Sequence, residues 1–322
     1  ARPECINVTD NDGRTALHAA AYNGHVDCLQ ALIAARPECI NVTDNDGRTA
    51  LHDAAYNGHV DCLQALTDAK PESINVQDVN GDTALHTAAY NGHVDCLKAL
   101  TDAKPEYIGV KDKYGSTALH KAAYKGHVDC LKALTDASPE SIDVTDNNGD
   151  NVLNVAAYNG HVECLQALIA ASPESINFQS NDGFTALHSA AYNGHIDCLQ
   201  TLIAARPNLI NVHDNRGHTA LDCAEQQGHK NCLQSVLNVA VAKGQVEVIK
   251  ALLKANPESI NITDKNGRTA LHDAAFNGHV DCLQVLIDAS SESINITDKY
   301  GVTALHVAAH SGHVDCLQAL IA

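Results

Sequence analysis

Apolar positions along this chain keep a short beat inside a long one. In Ala16-Leu17-His18-Ala19-Ala20-Ala21-Tyr22, the residues Leu17, Ala20 and Ala21 stand at i, i+3 and i+4, the spacing that gathers one face of a helix. A second apolar stripe, Val26, Leu29, Leu32 and Ile33 with Cys28 beside it, predicts a helix from about Val26 to Ala34. Thr15 stands where the first helix needs a capping hydroxyl, and Asn23-Gly24 offers the left-handed conformation that ends one. Pro37 stops the second helix, because it lacks an N–H and disfavours helix in the residue before it. The stretch from Ile40 to Gly47 reads as an extended run followed by a turn. Asp12-Gly13, Asp46-Gly47, Asn80-Gly81 and Asn266-Gly267 are strong hairpin-turn pairs. The predicted unit is finger, helix, tight turn, helix.

That unit recurs. Thr-Ala-Leu-His begins at Thr15 and returns at Thr49, Thr83, Thr117, Thr185, Thr269 and Thr303, the first four 34 positions apart, and residues 1–34 and 35–68 are nearly copies. A fixed period of this size marks a repeat array whose stacked units share one continuous core. Periodicity overrides the two globular domains that a chain of 322 residues would otherwise suggest. The beat falters twice. Asn151-Val152-Leu153-Asn154 replaces both the threonine and the histidine, which predicts a weaker helix start by about 1 kcal/mol. From Thr219-Ala220-Leu221-Asp222 to the next motif at Thr269 is 50 residues, 16 more than the period. The added piece, Leu237–Lys254, aligns with a helix pair that has no finger before it. Ten helix pairs result: seven repeats over 1–236, a fingerless pair over 237–254 that is either a candidate bend or a tolerated deletion of a surface finger, and the array continuing over 255–322.

The motif D-x-x-G-x-T-A-L-H-x-A-A-Y-N-G-H-V-D-C-L-x-x-L resembles the ankyrin repeat over essentially the whole chain. The resemblance implies an all-α solenoid of helix-turn-helix units with β-hairpin fingers, which acts by binding other proteins. Two departures are steady. Ala follows the capping threonine where the family has Pro, and the period is 34 where about 33 is usual, the extra residue being assigned to the Pro-Glu-Ser-Ile-Asn connection. Family resemblance also implies that T-A-L-D-x-A marks an end or change of direction, and that finger asparagines such as Asn41 or Asn75 are open to hydroxylation.

Composition narrows the interior and the partners. Aromatics are 4% and Trp and Met are absent, so the core is expected to be thin layers of Ala, Leu, Val, Ile and Cys between close helices. A formal charge of −18 opposes binding to nucleic acid and to anionic membrane surfaces, and no apolar run is long enough to span a bilayer. Of twelve cysteines, Cys28, Cys62, Cys96, Cys130, Cys164, Cys198, Cys232, Cys282 and Cys316 share one repeat position. Packed helices repeat at roughly 8–10 Å and disulfides need Cα atoms within about 7 Å, so these read as small buried hydrophobes in a reducing, cytoplasmic setting.

Nineteen histidines tempt a metal assignment. His18 and His25, with equivalents such as His52, His59, His86 and His93, give H-x6-H-x2-C in almost every unit, but zinc needs about four converging ligands and these three lie on separate faces. The resemblance implies that they hydrogen-bond between loops and neighbouring units. A His and an Asp in every unit do not make an active site, which gathers singular groups in one pocket. No catalytic, cofactor or metal residue is therefore assigned.

Outward-facing positions are better candidates. Tyr22, Tyr56, Tyr90, Tyr124, Tyr158 and Tyr192, with Phe276, follow Ala-Ala at the end of the first helix, a place that the resemblance puts on the concave, partner-contacting surface. A ladder of rings supplies rigid amphipathic contact area; alternatively each packs on a neighbour's Asn23, Asn57 or Asn91 and only stiffens the array. The finger slot varies through Arg14, Arg48, Asp82, Ser116, Asp150, Phe184, His218, Arg268 and Val302. The ladder together with Arg14, Arg48, Asp82, Phe184 and Arg268 forms the expected partner surface. The expected function is a non-enzymatic scaffold for a protein or peptide. Two rivals remain: head-to-tail stacking into filaments through ends that lack polar caps (Ala1–Ile33 and Val302–Ala322), or a segment of a larger protein, suggested by the missing Met and by termini that fall on repeat boundaries.

Overall fold

The computed structural model describes residues 6–229 and 231–322; residues 1–5, the start of the N-terminal end considered above, lie outside the described residues. The chain divides into two compact units, Ala1–Asn181 and Asp182–Ala322.

The N-terminal unit holds five helix pairs: α1 (Ala16–Tyr22) and α2 (Val26–Ala35), α3 (Ala50–Asn57) and α4 (Val60–Ala69), α5 (Ala84–Asn91) and α6 (Val94–Ala103), α7 (Ala118–Lys125) and α8 (Val128–Ala137), α9 (Val152–Tyr158) and α10 (Val162–Ala171). The first helices of successive pairs pack on one another to make an inner layer, and the second helices make an outer one. Small residues permit this approach: Ala54, Ala55, Ala88 and Ala89 are fully buried, as are Leu51, Leu63, Leu66 and Leu97. Each such leucine contributes about 2 kcal/mol of burial. Most second-helix cysteines join this interior; Cys96, Cys130 and Cys164 are buried, and loss of water pushes their thiols up to about 11, but Cys28 in the first repeat is exposed and is not the buried hydrophobe expected of its position. The buried thiols are inert packing groups.

Inner helices α1, α3, α5 and α7 begin with a capping box in which histidine replaces the usual Glu or Gln. Nδ1 of His18 accepts from the Thr15 backbone N–H at 3.2 Å and from its hydroxyl at 2.9 Å, and Nε2–H donates to Arg48 O at 3.0 Å. The same pair of contacts recurs from His52 to Asp82 O (3.0 Å), His86 to Ser116 O (3.1 Å) and His120 to Asp150 O (3.3 Å). With a carbonyl at Nε2 and an N–H donor at Nδ1, the neutral Nε2–H tautomer is the one that fits. A second row of histidines starts the outer helices: His59, His93, His127 and His161 donate from Nε2 to the carbonyls of Tyr22, Tyr56, Tyr90 and Tyr124. Gly24 makes room for this contact, since it holds φ +72° and a Cβ there would lie 2.7 Å from His59 Nδ1.

Two local expectations are corrected. Residues from Ile40 do not run extended. Pro37–Asn41 closes a 3₁₀ turn, with Cys39 N–H on Arg36 O and Val42 N–H on Cys39 O. In the following repeat Ser73 adds a hydroxyl bond to Lys70 O at 2.7 Å. The fingers are tight turns and not β-hairpins; among the described residues the one bridge is His213 with Thr219. In the second finger Asp44 N–H donates to Arg48 O, and Asp44 Oδ1 takes the N–H groups of Asp46 and Arg48 at 3.0 and 2.8 Å. Fingers stack through a single backbone bond each, such as Val79 N–H to Asp46 O, too few to build a ladder. The fifth repeat also keeps its cap: Asn151 Oδ1 accepts from Asn154 N–H, and Asn154 Nδ2 donates to Asp150 Oδ1, both at 3.1 Å. Asn is as good a cap as Thr, so the expected weakening of that helix start is withdrawn.

The C-terminal unit comprises α11 (Ala186–Tyr192), α12 (Ile196–Ala205), α13 (Ala220–Gln226), α14 (Asn231–Ala242), α15 (Val246–Ala255), α16 (Ala270–Asn277), α17 (Val280–Ala289), α18 (Ala304–Ser311) and α19 (Val314–Ile321). The fingerless pair is built by fusion. α14 packs against both the outer helix α12 and the inner helix α16, so one helix serves as the outer member of the seventh pair and the inner member of the eighth. No Gly or Pro interrupts residues 231–242, hence nothing forces a turn, and Leu237 at their middle is fully buried. α15 then lies against the 3₁₀ turn Pro207–Asn211, where Leu209, buried, stands in the slot that Ser73 and Ser141 occupy elsewhere. Asp222 replaces the tie histidine, accepting from Thr219 N–H and hydroxyl at 2.7 Å each. It caps the helix without offering a donor to the next finger, and the next pair has no finger to receive one.

Candidate interaction surface

The ladder rings are part exposed, from 39% at Tyr90 to 54% at Phe276. The asparagines beside them, Asn23, Asn57 and Asn91, hydrogen-bond within their own helices, donating to Ala19 O, Asp53 O and Thr87 O.

The finger slot reaches the rings. The guanidinium carbons of Arg14, Arg48 and Arg268 lie 5.7, 5.3 and 5.6 Å from the ring centroids of Tyr22, Tyr56 and Phe276. These are cation–π distances. Phe184 makes the apolar version, with centroids 6.4 Å from Tyr192 and 5.4 Å from His188. Asp82 does not reach Tyr90; it bonds Lys121 Nζ at 2.9 Å, and Lys121 reaches Asp112 at 2.7 Å. Tyr90 and Tyr124 stack at 6.3 Å, and Lys125 Nζ sits 4.5 and 5.4 Å from their centroids. Tyr158 is half exposed.

Several members of this surface were not singled out from sequence. Arg48 clamps Asp53 at 3.0 Å and Arg268 clamps Asp273 at 3.2 Å. Burial lifts both Asp carboxyls above their ordinary values in spite of these arginines. Burial acts the same way on Asp112, but its bonds to Lys121 and to the Ser116 and Tyr114 N–H groups win and hold it low. In repeats two and nine an Arg finger slot goes with an Asp after the tie histidine, whereas Arg14 goes with Ala19. That paired variation, together with Lys125 in an asparagine slot and Tyr114 in a turn slot usually filled by Asp or Asn, was the available signal.

Two adjoining clefts lie in the N-terminal unit. One of about 500 Å³ is lined by Tyr56, Thr87 and Tyr90 from the inner helices and by Asp78, Val79 and Tyr114 from the fingers; the other, of about 360 Å³, includes Tyr90, Tyr114 and Tyr124. Among the described residues no cluster of His, Cys, Asp or Glu could hold a metal ion, and no helix is long and apolar enough to cross a membrane.

A family profile described as ankyrin repeats (three copies) matches residues 3–78, 70–148, 137–211, 153–239 and 237–322. The chain is similar to the crystal structure of the ankyrin repeat domain of Bcl-3, a member of the IkappaB protein family, at 25% identity and TM-score 0.59 over 69% of this chain and 99% of that one. It is also similar to the human ASB11 ankyrin repeat domain, at 24% identity and TM-score 0.57 over 76% of this chain and 98% of that one. No curated protein matches the sequence.

Proposed function

Since the chain belongs to the ankyrin-repeat family, whose domains are in general protein-interaction modules, we propose that it is a non-enzymatic scaffold that holds a protein or peptide partner along its inner helices and fingers. One observation carries this reading: in a row of part-exposed rings, finger arginines lie over Tyr22, Tyr56 and Phe276, at 5.3 Å for Arg48 on Tyr56, and Lys125 lies over Tyr90 and Tyr124. Rings so fixed meet a partner with little ordering cost. Stiffening and binding are compatible roles, because the rings that carry a cation remain part exposed. Tyr22, Tyr56, Tyr90, Tyr124, Tyr158, Tyr192 and Phe276 are the contact residues of this proposal, with Arg14, Arg48, Asp82, Phe184 and Arg268 beside them. The buried thiols suit a reducing compartment, and the cytoplasm is the setting we assign.

Site-specific photo-crosslinking tests the surface. A crosslinker at Tyr90 should capture a defined protein from cells, and one at the exposed outer-helix residue Asp68 should not. Equal capture from both faces, or from neither, would remove the inner surface from the account. If crosslinks from Tyr90 lead to a second copy of this chain, self-association replaces the scaffold reading.

A further inference from the structure

We infer that the cleft between Tyr90 and Tyr114 receives the guanidinium of an arginine presented by an extended peptide. This rests on the scaffold reading above and specifies the chemistry of its partner.

The template for the site is inside the chain. In the second repeat Arg48 does two things at once: it lies 5.3 Å from the Tyr56 ring centroid and 3.0 Å from an Asp53 carboxylate oxygen. Arg268 repeats the arrangement in the ninth, 5.6 Å from the Phe276 ring and 3.2 Å from Asp273. Planar, forked and permanently charged, a guanidinium can stack on a ring while it pairs with a carboxylate, which an ammonium does less well. The third repeat keeps the ring, Tyr90, but its finger slot holds Asp82 and its helix slot holds Thr87. It has acceptors where the second repeat has the arginine, and the fourth has Ser116.

The cleft at that place is large enough for a side chain, at about 500 Å³, and its lining includes the carboxylates of Asp46, Asp78 and Asp82. Lys121 is shared between Asp82 and Asp112, and Arg48 is bound to Asp53. Asp46, Asp78 and Asp82 in this lining thus face Lys121 and an Arg48 already paired with Asp53, with Lys125 at the Tyr90 ring. His86, also in the lining, is held neutral by burial. An incoming cation meets a surplus of negative charge, and an anionic segment meets repulsion from a chain carrying −18.

Tyr114 gives the second wall. It occupies a turn position that is Asp12, Asp46, Asn80, Asn148, Asp182 or Asn266 in other fingers, with a tyrosine again only at Tyr300, and it is 64% exposed against 82% at Tyr300, which lines neither cleft. A turn gains nothing from an aromatic ring in water. Tyr114 lines both adjoining clefts, as Tyr90 does, so the two rings flank the same space. Lys125, 4.5 Å from the Tyr90 centroid, shows that this ring already attracts a cation. Aromatic faces combined with carboxylates select a cationic group from a peptide.

Random linear peptides displayed on phage and sorted against the full chain supply the probe, with binding of labelled hits measured by fluorescence polarisation. The sorted peptides are expected to share an arginine. Replacing it by citrulline, which keeps the shape and removes the charge, should weaken binding about tenfold, as should Tyr114→Asn, which copies other fingers and spares the fold. Hits that lack arginine, or that bind Tyr114→Asn and the parent equally, would overturn the cleft assignment and leave the scaffold reading standing. If no peptide is retained, the arginine-peptide inference fails; the scaffold reading is then judged separately by whether crosslinking from Tyr90 finds a folded partner.

Discussion

Replacing the buried capping histidine of the fourth repeat should flatten the acid sensitivity of the protein by a calculable amount. His120 is 2% exposed, accepts from Thr117 at Nδ1 and donates to Asp150 O at Nε2. Burial, against the pull of the Asp150 carbonyl, lowers it from the ordinary 6.5 to about 4. The neutral ring belongs to the folded state, so the unfolded chain takes up a proton first as pH falls. Stability from this group is complete above 6.5 and is lost between about 6.5 and 4. Linkage puts the loss at about 2 kcal/mol between pH 7.5 and 5, and about 3 kcal/mol by pH 4. His52, His86 and His188 shift in the same direction for the same reason, so the whole array should be acid-sensitive in this window. Asp53 and Asp273, lifted by burial, act in the opposite sense. The informative quantity is consequently a difference between two proteins. The fifth repeat supplies the variant: Thr117→Asn with His120→Asn reproduces the Asn151 and Asn154 cap, which does not titrate. Urea unfolding followed by far-ultraviolet ellipticity at pH 7.5, 6 and 5 would give the two profiles, and the His120 ring proton in an NMR titration reports the group directly. Arrays can unfold piecemeal, so the comparison requires equal denaturant slopes. The variant should start less stable, having lost the bond to Asp150 O, and the gap should narrow by about 2 kcal/mol on going to pH 5. Parallel profiles, or a folded His120 titrating near 6.5, would refute the assignment of acid sensitivity to this ring.

Other consequences follow from particular contacts. Gly92→Ala places a Cβ 2.7 Å from His127 Nδ1 at φ +80° and should cost about 1–3 kcal/mol, read as a lower urea midpoint. Arg48→Ala strands Asp53, which is 0% exposed; about 2–3 kcal/mol is expected, at the low side for a buried pair because Arg48 is part exposed. Adding Asp53→Ala should recover much of that loss, and a double-mutant cycle with no coupling would deny the pair. Leu209→Ser restores the residue found in other 3₁₀ turns but removes an apolar side chain that α15 covers, so a loss of about 2 kcal/mol in midpoint stability is expected; an unchanged midpoint would mean that α15 does not depend on it.

The repeated apolar beat and the Thr, Gly and Pro punctuation were enough to determine the helix pairs, because cap, stripe and stop are local and recur with the period. The buried cysteines were legible for the same reason, except Cys28, which is exposed in the first repeat although its equivalents are buried. What the sequence could not decide depended on distant neighbours. The finger turns are local, Asp44 bonding its own backbone, but the capping histidines are tied to carbonyls 30 residues away. α14 runs through as a single helix because no breaker interrupts it, while its two packing partners, α12 and α16, come from either side in the chain. Likewise the partner surface was half visible. Ladder and finger slot stood out by repetition, but Arg48 on Tyr56, Lys121 between Asp82 and Asp112, and Tyr114 beside Tyr90 join residues that only the stacking of one repeat on the next brings within reach. Local sequence sets which groups each repeat offers; tertiary structure sets which charges meet, and therefore which are left for a partner.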